Sequence, residues 1–286
     1  MGSTRKDRAG SEQWRDEVQR GERFGFGENW AAFLRLVDED RIASAEQSLK
    51  QMLNLERLDG KTFLDAGSGS GLFSLAARRL GAQVTSFDYD PDSVGCTAEL
   101  RRRFFPEDSN WRVMRGSVLD RDFLASLGDF DVVYSWGVLH HTGSMWQALE
   151  NAGTLVAPAG QLFISIYNDQ GRASVRWTKV KHAYVRAPRP LKWGILLLSL
   201  VRLWGPTAMR RVFGGEVKLL NPNQRMPRGM DLWYDAKDWV GGYPFEVAKP
   251  EEIFDFYQAR GFQLCRLSTC AGGIGCNEYV FRRAKR

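Results

Sequence analysis

Two groups of residues in this 286-residue sequence could do chemistry. The first is Asp65-Ala66-Gly67-Ser68-Gly69-Ser70-Gly71, followed 23 residues after Asp65 by Asp88. Glycines let a backbone turn sharply and approach a ligand closely. An acid at the end of a second strand can accept both hydroxyl hydrogens of a ribose. The pair therefore points to an adenosine-containing ligand. A dinucleotide fingerprint would need glycine at position 72, which is Leu72, and no Gly-Lys-Ser/Thr follows as a P-loop requires. The acid before the first glycine would repel a pyrophosphate and suits an amino group instead. The second group is His140-His141, two of the chain's three histidines. A histidine can take a proton from a hydroxyl nucleophile near neutral pH.

Regular elements must hold these groups in place. The apolar run Thr62 to Leu64 predicts a buried strand, and Leu72 to Leu80 is apolar at helical spacing. Gly81 ends that helix, and Gln83 to Phe87 predicts a second strand. This is a βαβ unit with its ligand site at the carboxyl ends of the strands. Asp90-Pro91 starts the next helix. Trp111 to Arg115 and Phe130 to Trp136 predict strands, and Met145 to Val156 a helix. Pro158-Ala159-Gly160 reads as a turn before a strand at Gln161 to Tyr167, a nearly continuous apolar run suited to burial on both faces.

Residues 61 to 169 resemble the catalytic core of class I S-adenosylmethionine-dependent methyltransferases. The pattern D-x-G-x-G-x-G is met by Asp65, Gly67, Gly69 and Gly71. The acid ending the second strand is Asp88, and Phe130 to His141 matches the family's stretch at the fourth strand. The resemblance implies an α/β fold, a seven-stranded, mostly parallel, doubly wound sheet. The pair Phe262 to Ser268 and Asn277 to Phe281 resembles the hairpin that completes it. The implied cofactor is S-adenosyl-L-methionine, with S-adenosyl-L-homocysteine as product. Its contacts would come from Asp65, Gly67, Ser68, Gly69, Gly71, Asp88, Ser117, Val118 and Trp136. Family members commonly have Gly-Asp where this chain has Gly116-Ser117, so the adenine contact falls to Ser117, to Asp120 or to the Val118 amide. Tyr89 could pack on adenine or only within the protein. Segments before the first strand often cover the cofactor in this family. Arg23 to Trp30 alternates aromatics with glycine as a loop would, so Trp30 reads as a lid or as a staple docking its helix.

The loop after the fourth strand faces cofactor and substrate in this fold. His141, slightly ahead of His140, is the candidate base; the alternative is a structural role holding the loop. Tyr167 and Asn168 lie at the substrate edge. Asp231 to Glu246 has the composition of a binding loop, which makes Trp233, Tyr234, Asp235, Asp238, Trp239 and Tyr243 candidates for the substrate wall, or buried anchors of a rigid loop.

Four divisions follow: an N-terminal helical lid segment (1–58), the cofactor-binding core (59–171), a mainly helical basic and aromatic insertion (172–246), and a C-terminal helix and hairpin (247–286). Residues 1 to 12 are polar and expected to be loose. The four cysteines lack zinc-site spacing, no metal is expected, and reduced thiols in a cytoplasmic protein are the simpler reading. Residues 172 to 230 hold thirteen Lys or Arg and a single acid, Glu216, a net +12 within a chain of +6. Such asymmetry points to an anionic partner. The apolar run Trp193 to Val201 is too short to span a bilayer. It could cap the active site with a basic lining, or lie on a membrane surface or clasp a lipid-linked substrate through 189–204. Its leucine density argues against nucleic acid. The expected function is O-methylation of a small molecule such as a sugar, a phenol or a quinone precursor. The alternatives are an RNA or protein methyltransferase, or a catalytically silent cofactor-binding protein docked to a membrane through 172–230. Nothing in the sequence sets the oligomeric state.

Overall fold

Three helices precede the first strand: α1 (Ser3–Gln19), α2 (Gly27–Phe33) and α3 (Glu39–Leu53). Asp38 starts α3 by accepting a hydrogen bond from the Arg41 amide at 2.8 Å, and Asn54, in the left-handed conformation, ends it. The core follows as β1 (Thr62–Ala66), α4 (Leu72–Arg79), β2 (Gln83–Asp88), α5 (Pro91–Phe104), β3 (Trp111–Arg115), α6 (Arg121–Ala125), β4 (Phe130–Trp136), a 3-10 turn (Leu139–His141), α7 (Met145–Thr154) and β5 (Val156–Tyr167). The insertion contributes α8 (Arg172–Arg186), α9 (Arg189–Phe213) and α10 (Leu232–Gly241), and the chain closes with α11 (Pro250–Gln258), β6 (Phe262–Ser268) and β7 (Cys276–Arg283). This computed structural model describes residues 3–213 and 232–285; side chains of residues 3–10, 28, 204–213 and 232–235 are outside the description.

The seven strands form one sheet in the order β3-β2-β1-β4-β5-β7-β6. All neighbours are parallel except β7, which runs antiparallel to both β5 and β6. Strand order reverses between β1 and β4, so a crevice opens beyond their carboxyl ends, where open α/β sheets bind ligands. Each face is covered. One side packs α3, α4 and α5 over Phe63, Val84 and Val132. The other packs α7 and α11 over Leu64, Val133 and Ile164. A smaller cluster of Tyr184, Val185, Leu196 and Val240 joins the helices of the insertion.

Four local expectations need correction. The aromatic–glycine stretch is loop only to Phe26, because the backbone of 27–33 is helical. Residues 3–12 belong to α1 rather than to a loose tail. The expected turn at Pro158-Ala159-Gly160 lies inside β5, where the register slips between Phe130 and Val132 and Ala159 takes φ +64°. This is a bulge. A Cβ on Gly160 would come within 3.0 Å of the Phe130 and Asp131 carbonyl oxygens, so the close approach needs glycine. The loop expected over Asp231 to Glu246 is instead helical from Leu232 to Gly241.

Candidate active site

The turn between β1 and α4 is built so that backbone, not side chain, faces the crevice. Gly67 has φ +84°, and a Cβ there would lie 2.4 Å from both methyls of Val138. Glycine is required by conformation and by space. Gly69 (φ +53°) sits under the indole of Trp30, which would be 3.1 Å from an added Cβ. The loop is thus pressed between the β4 loop below and α2 above.

Three carboxylates converge here. Asp65 is buried at the end of β1 and accepts a 2.5 Å hydrogen bond from the Ser74 hydroxyl. Asp88 ends β2 and accepts from the Gly69 amide through one oxygen and the Asp90 amide through the other, both at 2.9 Å. Asp90 caps α5 through the Asp92 amide and also accepts from the Gly27 amide at 2.7 Å. Burial raises all three acids, and the Asp88 charge raises Asp65 and Asp90 further, each to about 7. Such a cluster repels phosphate and favours a ligand that brings hydroxyl donors or an ammonium group.

A cavity of about 300 Å³ joins these groups to the end of β4. Its lining includes Asp65, Gly67, Ser68, Gly69, Asp88, Tyr89, Ser117, Val118, Trp136 and Trp30, so ten of the eleven residues expected at the cofactor meet in one place. Gly71, the other, is the residue before α4, at φ +82°, where a Cβ would meet Thr97. The Tyr89 ring already has the guanidinium carbons of Arg23 and Arg115 at 5.2 Å from its centroid, and its hydroxyl donates to Glu17 at 3.1 Å. Ser117 accepts from the Leu119 amide at 3.1 Å. Asp120 is exposed, lies off the cavity lining and caps α6 through the Phe123 amide. The Trp136 indole donates to Glu278 at 2.6 Å.

The same cavity reaches His141, Tyr167 and Trp239. The Nδ1 of His141 lies 2.6 Å from the Pro244 carbonyl oxygen. A carbonyl can only accept, so Nδ1 carries the proton and Nε2 is the bare acceptor. Burial and the nearby Lys181 charge push this imidazole down to about 3, which keeps it neutral. His140 packs on Tyr167 with centroids 4.2 Å apart and rings tilted by 48°, but it is fully buried and lies off the cavity lining. The two histidines thus hold different positions: His141 in the wall, His140 behind it.

The remaining substrate-edge candidates divide. Asn168 lies off the lining; its amide bonds the Gly273 carbonyl at 3.3 Å and receives Asn277 at 3.1 Å, tying β5 to the turn before β7. Tyr243 is also off the lining, packed on His182 with centroids 5.0 Å apart. The side chains of Trp233, Tyr234 and Asp235 lie outside the described residues.

Sequence reasoning missed three partners. Lys181 of α8 is fully buried; its ammonium donates to the Trp239 carbonyl and sits 4.3 Å from the Trp239 ring and 4.5 Å from the Phe245 ring. Burial lowers it to about 7. Asp90 does more than cap a helix: it docks α2. Asn29, buried on α2, donates to Asp238 of α10 and accepts from Lys237 at 2.6 Å, latching lid to insertion. Nothing local marked Lys181, one lysine on a basic helix. The other contacts join positions about 63 and 209 residues apart.

Comparison with known proteins agrees with this geometry. Residues 37–212 match the family described as a methyltransferase domain. The ubiquinone biosynthesis O-methyltransferase of Xanthomonas campestris pv. campestris (strain B100) is 34% identical over 145 residues, covering 48% of this chain and 59% of that protein. Its counterpart in Xanthomonas oryzae pv. oryzae (strain PXO99A) gives the same identity and coverage. The match spans about three fifths of the length of these curated relatives. Among solved structures, an O-methyltransferase family protein from Burkholderia thailandensis superposes with a TM-score of 0.53 at 12% identity, over 90% of this chain and 58% of that one. The magnesium protoporphyrin IX methyltransferase from Synechocystis PCC 6803, solved with bound S-adenosylhomocysteine, gives 0.50 at 15% identity, over 85% and 83%. A glycine turn under Trp30, an acid at the end of β2 and the strand order thus converge with the family match: this chain belongs to the methyltransferase-domain family and has the class I S-adenosylmethionine-dependent methyltransferase fold.

Proposed function

We propose that this chain transfers the methyl group of S-adenosylmethionine to an oxygen of a small-molecule acceptor. The observation that carries the reading is the single cavity, which holds the acid-and-glycine end and the oriented His141 together. The cofactor's residues would be Asp88 for the ribose hydroxyls, the 65–71 turn for the amino acid end, and Ser117 with the Val118 amide for adenine. Trp30 and Trp136 would close over it. When bound, the cofactor supplies an electrophilic methyl carbon on a sulfonium.

The chain's own work is alignment, exclusion of water and proton management. Nε2 of His141, bare and neutral, accepts the acceptor's hydroxyl proton as the oxygen–carbon bond forms. An imidazole held down near 3 is a weak base. It suits an acidic hydroxyl, such as a phenol, better than a sugar alcohol. Lys181 behind Tyr167 and Arg23 at the His141 carbonyl (3.0 Å) add positive charge that favours an anionic acceptor. The names of the curated relatives, ubiquinone biosynthesis O-methyltransferases, support an oxygen acceptor on a small molecule. The same reading takes in a lipid-linked acceptor and a peripheral place at a membrane, with 189–204 as the contact. Among the described residues, no helix is long and apolar enough to cross one.

The test is incubation with methyl-labelled cofactor and a panel of phenols, carboxylated phenols, sugars and amines, read by mass spectrometry. O-Methylated phenols as the best products support the proposal. Transfer to amines alone would replace it.

A further inference from the structure

The outer face of α9 is apolar and faces solvent at Leu191, Leu197, Leu198 and Val201. Its inward side chains, Leu196, Ser199 and Leu203, are buried or half-buried, and Leu196 and Leu203 pack in the cluster under the insertion. Trp193, Leu197 and Val201 recur every four residues along the opposite face and are 64%, 64% and 61% exposed. Leu191 and Leu198, seven apart, extend the same face at 56% and 72%. Of the ten exposed large hydrophobic side chains among the described residues, five therefore stand on one helix. Pro190 and Gly194 complete the arc, so no charged residue interrupts it between 190 and 201, and Arg189 and Arg202 border it. A surface helix of a soluble protein normally places its charges there.

Charge identifies the occupant. Of the ten Lys or Arg in α8 and α9, Arg172, Arg176, Lys179, Arg186, Arg189 and Arg202 are exposed while Lys181 is buried, and neither helix contains Asp or Glu. A second copy of the chain would bring two such basic faces together. A nucleic acid would answer the charge but leave the leucines in water. An anionic bilayer surface answers both, with apolar side chains at the acyl boundary and basic ones at the headgroups. We infer that α9 docks this protein in-plane on anionic lipid membranes through Leu191, Leu197, Leu198 and Val201. The inference deepens the lipid-linked reading of the acceptor and rests on that reading for its purpose. Leu196 packs in one cluster with Val240 and Trp239, and Trp239 lines the cavity, so the docked face lies close to the active site.

The test is co-sedimentation of the full chain with extruded vesicles of phosphatidylcholine alone and of phosphatidylcholine with one quarter phosphatidylglycerol. The expected result is at least ~10-fold tighter binding to the anionic vesicles, weakened by high salt. Leu197→Glu with Val201→Glu should reduce that binding at least ~10-fold while melting temperature and S-adenosylhomocysteine affinity stay unchanged. Both positions are solvent-facing, so the variant should fold; Leu198→Ser supplies a milder second variant with a partial loss. Absence of wild-type binding to anionic vesicles, or equal binding by the double variant, overturns the inference. So does a wild-type dimer that the double variant dissociates, which would assign the face to a second copy. Vesicle binding needs neither cofactor nor acceptor, so its failure leaves the methyl-transfer reading standing, and failure of methyl transfer leaves the docking result standing.

Discussion

Replacing Asp88 isolates the cofactor site from the scaffold. Its two oxygens already accept the Gly69 and Asp90 amides, each retains a lone pair, and the residue lines the cavity. Two ribose hydroxyls donating to those lone pairs would be hydrogen bonds to a charged group, each contributing about 1.5–3 kcal/mol. Asp88→Ala removes both, a loss of about 3 kcal/mol or more, or roughly 100-fold in Kd for S-adenosylhomocysteine. It also leaves two loop amides without acceptors, at about 1 kcal/mol each where water reaches them. For a chain of this size that lowers Tm by only about 4–8 °C. Asp88→Asn keeps one acceptor oxygen and should fall between, near 10-fold. Isothermal titration calorimetry gives the affinities and differential scanning calorimetry the melting temperatures. The graded order wild type, Asn, Ala in affinity with a folded Ala variant is the expected result. An Ala variant that binds within threefold of wild type would refute the ribose assignment and the reasoning from strand end to ligand.

His141→Ala should lower turnover about 100-fold at saturating cofactor, the usual range for a lost general base, with S-adenosylhomocysteine affinity little changed. His140→Ala should keep its rate and lose Tm; the reverse pattern would exchange their roles. Since His141 is held near 3, wild-type turnover should not fall between pH 8 and pH 5 through protonation of this base. A fall with an apparent pKa near 6.5 would contradict the geometry. Lys181 titrates near 7 when folded and near 10.4 when unfolded, so the unfolded chain binds more protons between these values. Its contribution to stability therefore improves as pH rises from 7 to 10, and Lys181→Met should lack that rise and gain about 5 °C at pH 7. Parallel melting curves for the two proteins across that range would refute the buried charge. Gly27→Val places a Cβ 2.4 Å from the Asp92 Cβ and should undock α2. Trp30→Ala removes the ring over Gly69. Both should weaken S-adenosylhomocysteine by roughly 10-fold, the effect of losing one packed aromatic contact, and expose residues 20–37 to protease, while unchanged affinity would make α2 a staple and nothing more.

The parts legible in sequence were those whose meaning is local. A glycine turn between two strands, an acid at a strand end and a cap with proline at the first helical position each carry their reason within a few residues. That placed β1, β2, α5 and the cofactor end of the cavity. The misses share a different cause. Asn168 looked like a substrate group because it directly follows β5, but its partners, Gly273 and Asn277, lie more than 100 residues away. The aromatic, glycine-rich stretch near 231–246 has a loop's composition, yet Trp239 and Val240 pack on α8 and α9, and tertiary burial makes it helical. Lys181 carried no signal at all, since a lone lysine on a basic helix reads as solvated until three aromatic rings are found around it.

The central claim is that the cavity between β1, β2 and β4 binds the adenosyl sulfur cofactor. Calorimetric titration of the full chain with S-adenosylmethionine, S-adenosylhomocysteine and, as control, NAD tests it most directly. Saturable one-to-one binding of both sulfur compounds with none for NAD is the predicted result. Binding of NAD alone would contradict the account, because a pyrophosphate would then sit against Asp65 and Asp88, where these carboxylates should repel it.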